Sequence, residues 1–84
     1  MLLEPGMLVK SKAGHDKNCI YVIISVNDEY VYLADGIVRC VCRTKKKNRK
    51  HVQVIYKAEH VSGADDESVR KAISEYINRD NQEL

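Results

Sequence analysis

Ser11-Lys12-Ala13-Gly14-His15-Asp16-Lys17-Asn18 is a polar turn between two apolar runs. Gly6-Met7-Leu8-Val9-Lys10 precedes it, and Cys19-Ile20-Tyr21-Val22-Ile23-Ile24-Ser25-Val26 follows. Glycine takes positive φ without steric cost, and Asp and Asn tolerate the left-handed region better than most residues. Gly14-His15-Asp16-Lys17-Asn18 therefore reads as a tight reversal joining two strands. The same turn carries Lys12, His15 and Lys17 on backbone that can approach a partner closely.

Working outward, runs rich in Val, Ile and Tyr recur every eight to twelve residues with turn signals between them, the spacing of a small barrel or sandwich. Strands are predicted over 7–11, 19–27, 30–34, 37–42 and 52–55. Asn27-Asp28-Glu29 makes a short connection, and Asp35-Gly36 is the strongest hairpin signal, because both central residues of such a turn favour positive φ. Alternation assigns Met7 and Val9 to one face and Leu8 and Lys10 to the other. It also sets Val22, Ile24 and Val26 together, Val31 with Leu33, and Val38 with Cys40 and Cys42 on the inward face, with Val52 and Val54 completing it. Five short strands sharing one apolar face most economically close into a mainly β, SH3-like barrel, which also hides its sheet edges.

Beyond the strands the period changes. Ser62-Gly63-Ala64-Asp65-Asp66-Glu67-Ser68 offers capping groups and negative charge for a helix start. Val69, Ala72, Ile73, Tyr76 and Ile77 then recur at i, i+3, i+4, i+7 and i+8, an apolar stripe on one face. A helix of about twelve to fourteen residues is marginal alone, so it is expected to dock, with the barrel as the natural surface and a partner protein as the alternative. Residues 78–84 are expected to fray. The organisation is a barrel over 1–58 and an acidic linker with an amphipathic helix over 59–84, the latter either part of the same domain or an appendage.

Eighty-four residues suffice for one domain near the lower limit of a self-sufficient core. The longest apolar run is too short to cross a bilayer, and Met1-Leu2-Leu3-Glu4-Pro5-Gly6 lacks the charged and apolar regions of a secretory signal. The expectation is a cytoplasmic chain with no membrane association, monomeric when free. Charge is distributed unevenly: residues 1–58 hold eleven Lys/Arg against five Asp/Glu, giving +6, while residues 59–84 hold three against seven, giving −4. A basic body suits a polyanion, because each neutralised phosphate releases counterions.

The densest feature is Arg43-Thr44-Lys45-Lys46-Lys47-Asn48-Arg49-Lys50, six cations in eight residues, followed by His51. Read as a loop, it offers phosphate contacts, with Arg capable of bidentate geometry. Tyr30 and Tyr32, two apart on the face opposite Val31 and Leu33, either cover the barrel or helix or stack on unpaired bases. Without Phe or Trp, stacking is not the main source of affinity, so recognition of shape and backbone in structured RNA is expected.

At this point the chain resembles a known family, the bacterial KOW-domain RNA-binding proteins, similar to archaeal and eukaryotic-type large-subunit ribosomal proteins with an SH3-like barrel. The residues that carry the resemblance are Pro5-Gly6-Met7-Leu8-Val9-Lys10-Ser11-Lys12-Ala13-Gly14, Asp16-Lys17, Tyr30-Val31-Tyr32-Leu33, Asp35-Gly36, Arg39, Lys45-Lys46-Lys47-Asn48 and Lys50-His51. They span about 5–55. His15 stands where the family usually has Arg, Asn18 where it has Gly, and Cys40 and Cys42 where charged residues are commoner. The resemblance implies a non-catalytic, ribosome-associated RNA binder, with ribosomal RNA as partner. Its expected contacts are Lys12, Gly14, His15, Lys17, Asn18, Arg39, Arg43, Lys45, Lys46, Lys47, Arg49, Lys50 and His51. The alternative is an adaptor that docks on ribosomal or polymerase proteins through the barrel or helix.

Chemistry of other kinds finds little footing. Cys19, Cys40 and Cys42 with His15, His51 and His60 supply one Cys-x-Cys and no second close pair, short of a structural zinc set. No cofactor motif is present, and nothing supplies a nucleophile with its base and an oxyanion site, so the chain reads as no enzyme.

Overall fold

Both faces of the central sheet carry apolar side chains, and a C-terminal helix covers one of them. The computed structural model describes residues 2–56, 58, 60–62 and 65–82, with side chains through Arg79. Five antiparallel strands form one sheet: β1 (Leu8–Ser11), β2 (Ile20–Val26), β3 (Tyr30–Ala34), β4 (Lys45–Asn48) and β5 (Val52–Val54). Their order is β4-β3-β2-β1-β5, and among the described residues no ladder pairs β4 with β5. A single 3-10 turn, Arg49–His51, joins those two edges.

One cluster gathers Leu3, Val9, Tyr21, Ile23, Val31, Leu33, Val52 and Val54, with Met7 and Val26 against it. The second joins Leu8 and Val22 of the opposite face to Val69 of the helix α1 (Asp66–Gln82), with Ile24, Val41, Ala72, Ile73 and Tyr76 packed around them. The helix thus docks on the sheet of its own chain. The expectation of one apolar sheet face is corrected: the second is apolar because the helix covers it. Val26 also leaves the company of Val22 and Ile24. Register shifts between Ile23 and Ser25, and that bulge inverts the alternation so that Val26 faces Val31 on the first cluster.

The predicted fourth strand over 37–42 is absent, and its amides show why. Asp35 Oδ1 accepts from the amides of Ile37 and Arg39, each at 2.9 Å, and Asp66 Oδ1 accepts from that of Val41 at 2.7 Å. Carboxylates have taken the alternate donors a ladder would need. Asp35-Gly36 accordingly opens a compact turn closed on Arg39, not a two-residue hairpin. Gly36 has φ 78°, and a Cβ there would lie 2.5 Å from the Asp66 carbonyl oxygen, so the turn fits against the helix start only with glycine. Arg70 Nη1 donates to the Gly36 carbonyl at 2.8 Å from the same side.

The edge beside β3 is filled instead by the lysine run, which is a strand and not a loop: Leu33 pairs with Lys45, Tyr32 with Lys46, Val31 with Lys47 and Tyr30 with Asn48. The helix is also longer than predicted, seventeen residues, continuing through 78–82 where fraying was expected. Its first turn follows Asp65, whose carbonyl accepts from the Val69 amide at 3.1 Å. The Asp65 carboxyl lies below its ordinary range because Ser68 hydrogen-bonds it. Of the capping residues named from the sequence, Gly63 and Ala64 lie outside the described residues, as do Glu83 and Leu84 at the expected frayed end.

Candidate functional site

The turn between β1 and β2 is built as its residue types require. Gly14 sits at φ 84° and Asn18 at φ 75°, the left-handed pair that reverses the chain. Asn18 N donates to Ser11 O at 2.8 Å, Cys19 N to Asp16 O at 2.9 Å and Lys17 N to Gly14 O at 3.3 Å. The amides of Lys12, Lys17 and Asn18 are therefore spent inside the fold and are not presented to a partner; that of Lys12 donates to His51 O at 2.8 Å.

Asp16 is the hub of this end of the molecule. Its Oδ1 lies 3.0 Å from Ser11 Oγ and 2.9 Å from Lys47 Nζ; its Oδ2 lies 3.1 Å from the Tyr21 hydroxyl and 3.2 Å from Lys45 Nζ. Lys47 also donates to Ala13 O at 2.9 Å. Ser11 is fully buried, and the side chains of Asp16 and Lys47 are only 11% and 10% exposed. Burial alone would raise the Asp16 pKa, but donation from Lys47, Ser11, Lys45 and Tyr21 overrides it and holds the carboxyl far below the usual carboxylate range. Burial, and then the bond to Asp16, push the Tyr21 phenol well above its ordinary value.

The register explains how two lysines reach this acid. Lys45 and Lys47 stand opposite Leu33 and Val31, on the face that carries the first apolar cluster, so their stems run along that face and their ammonium groups reach Asp16. Lys46, on the other face, places its ammonium 4.1 Å from the centroid of the Tyr30 ring. Tyr30 and Tyr32 belong to neither apolar cluster; the Tyr32 hydroxyl accepts from Asn27 Nδ2 at 3.1 Å.

The thirteen residues singled out from sequence therefore divide. Lys45 and Lys47 are ion-paired with Asp16 at 3.2 and 2.9 Å. Arg49 donates Nη1 to Asn27 O at 2.7 Å and its amide to Glu29 O at 3.0 Å, which fixes the 3-10 turn against the β2–β3 connection. Arg39 and Arg43 are exposed but sit in the 35–44 connection that leans on the start of α1. Lys12, Gly14, His15, Lys17 and Asn18 remain exposed on the turn, Lys50 and His51 on the adjoining 3-10 turn, and Lys46 on β4. Lys12, Arg49 and Lys50 line one shallow depression of about 280 Å³, floored by Leu3 and Val52. The basic turn and the distal half of the lysine run are thus neighbours in space.

Sequence reasoning passed over the Asp16 network. Its signal was a lone acid in a basic turn, flanked five residues away on either side by Ser11 and Tyr21. Cys40 and Cys42, expected inward, are partly and fully on the surface, because Val41 between them turns into the second cluster. Among the described residues no three His, Cys, Asp or Glu side chains gather in a metal-holding group, and no helix is long and apolar enough to cross a membrane. The sequence matches no known family model and no curated protein.

Proposed function

We propose that this chain is a non-enzymatic RNA-binding module with a KOW-type, SH3-like barrel, monomeric when free, that grips the phosphate backbone of structured RNA, ribosomal RNA foremost. The observation that carries the reading is the junction of the two basic turns. Lys12 hydrogen-bonds the backbone of His51 and shares a depression with Arg49 and Lys50, while His15 and Lys17 project from the same loop. A five-stranded antiparallel sheet whose edge strands follow one another through the Arg49–His51 turn is compatible with a small barrel. The Asp16 network supports the reading too. By pairing with Lys45 and Lys47 it braces the base of the turn, and among the described residues Lys12, His15 and Lys17 have no acidic partner.

With Lys45 and Lys47 paired to Asp16, about four phosphate contacts remain, so log K should fall against log salt with a slope of about −3 to −3.5. Titration of a structured ribosomal RNA fragment at several salt concentrations tests this. Lys12→Glu with Lys50→Glu should weaken binding at least about tenfold and flatten the slope by about 1 per lysine, with an unchanged unfolding midpoint. A salt-independent affinity, or full binding by that double variant, would overturn the proposal.

The competing reading is an adaptor of the translation or transcription machinery. One observation favours it: Ile37 and Val38, 76% and 82% exposed, form the tip of the 35–39 turn. Ultraviolet crosslinking in cells separates the two, because an adaptor yields no RNA above background, and its co-purifying protein partner should be lost when Ile37 and Val38 are replaced by Ser.

A further inference from the structure

Cys40 and Cys42 lie outside both the basic junction and the apolar clusters, and their geometry is unlike that of the remaining cysteine. A turn closes from Arg43 N to Cys40 O at 3.0 Å. Val41 is held inward at two points, its amide bonded to Asp66 Oδ1 at 2.7 Å and its side chain packed in the helix-facing cluster. The flanking residues consequently project together away from the core, and their Sγ atoms lie 2.8 Å apart. Cys42 is exposed and Cys40 partly so. Cys19, at the entry to β2, is also exposed but has no second thiol beside it.

The geometry points to a reversible dithiol–disulfide site at Cys40 and Cys42, reacting with small-molecule disulfides of the glutathione class. Two residues apart in a tight turn, with their thiols already in contact, they need only local adjustment to close a bridge. Cys40 is the attacking sulfur. The two thiols share a hydrogen bond, and that bond lowers the Cys40 pKa while it raises that of Cys42.

The exchange balances in two steps. Cys40 thiolate attacks one sulfur of the small disulfide, breaking its S–S bond and releasing one thiolate, which takes up the proton Cys40 gave to solvent. Cys42, deprotonated in turn, attacks Cys40 Sγ of the mixed disulfide, forms the Cys40–Cys42 bond and expels the second small thiol. Two electrons pass from the protein to the small disulfide, and two protons from the cysteines end on the two released thiols. An excess of small thiol reverses both steps.

The test equilibrates the full reduced chain in buffers of reduced and oxidised glutathione, traps free thiols by alkylation, and maps the products by mass spectrometry. The expected product is an internal Cys40–Cys42 bridge with Cys19 alkylated. Cys42→Ser should accumulate several-fold more glutathione on Cys40 than the parent chain, and Cys40→Ser should form its adduct on Cys42 several-fold more slowly. Circular dichroism of both variants confirms that the fold is retained. Three thiols that alkylate alike across the whole range would overturn the assignment. So would bridges that involve Cys19 or join separate chains.

Discussion

Asp16 is the residue on which most of the molecule's polar energetics turn. Four side-chain donors converge on it in a largely enclosed setting, where removing one partner leaves charge stranded. Replacing Asp16 by Asn leaves the Lys47 ammonium with the Ala13 carbonyl and no counter-charge. The expected loss is about 2–3 kcal/mol at neutral pH, between the values for exposed and buried pairs because Lys45 keeps 28% exposure. Since the folded-state pKa is depressed, the carboxylate's contribution is complete above the unfolded value of about 4 and is lost as pH falls through the range below it. Urea unfolding at pH 7 and near pH 2.5 should therefore show the gap between parent and Asp16→Asn narrowing in acid. An equal gap at both pH values would mean that Asp16 acts by shape alone.

At the scale of the element, β4 is a strand made of residues with poor strand propensity, and its neighbours account for it. β3 offers an open edge, and opposite Val31 and Leu33 only the stems of Lys47 and Lys45 can cover apolar surface while their charges reach Asp16. Lysine at a sheet edge also discourages pairing with other chains. Adjacent lysines should thus behave differently. Lys47→Glu sets a carboxylate against Asp16 and should lower stability by about 3 kcal/mol or more. Lys46→Glu faces outward and should leave the unfolding midpoint within about 0.5 kcal/mol while weakening RNA binding. Thermal unfolding of the two single variants, followed by RNA titration of any that fold, checks both statements. Equal destabilisation would refute the alternation.

The helix makes a parallel case. Ile73 belongs to the helix-facing cluster, whereas Ile77 is 43% exposed and outside it, although both fall on the stripe read from sequence. Ile73→Asp, which sets a charge in a partly buried apolar contact, should cost about 1–3 kcal/mol, and Ile77→Asp less than about 1. Denaturant midpoints distinguish the two, and a large loss in the second variant would mean that the contact extends a turn further. This helix packs on the sheet of its own chain, so substitution at Ile73 does not report cleanly on a partner.

For the whole molecule, the uneven charge seen in the sequence becomes a spatial arrangement only through the fold. The helix α1, with four acidic and three basic residues, packs on one face of the sheet, while the basic turns meet at a sheet end. Long-range attraction of a polyanion should then depend on ionic strength beyond the contacts themselves. Association rates with structured RNA are expected to fall steeply between low and physiological salt. Stopped-flow measurement should show this loss mainly in the on-rate, and a fall confined to the off-rate would count against steering.

What the sequence determined by itself was local. The Gly14–Asn18 reversal, the β2–β3 connection at Asn27, four of the strands and the apolar side of the helix follow from φ preferences and side-chain period, which act over a few residues. What tertiary structure decided was competition between distant groups. Asp35 and Asp66 claimed the amides that would have made 37–42 a strand, and the vacated edge drew in the lysines. Asp16 then paired with Lys45 and Lys47, and Val41 turned Cys40 and Cys42 outward. Such outcomes rest on which carboxylate reaches which donor across the fold, and short-range pattern holds no record of that distance.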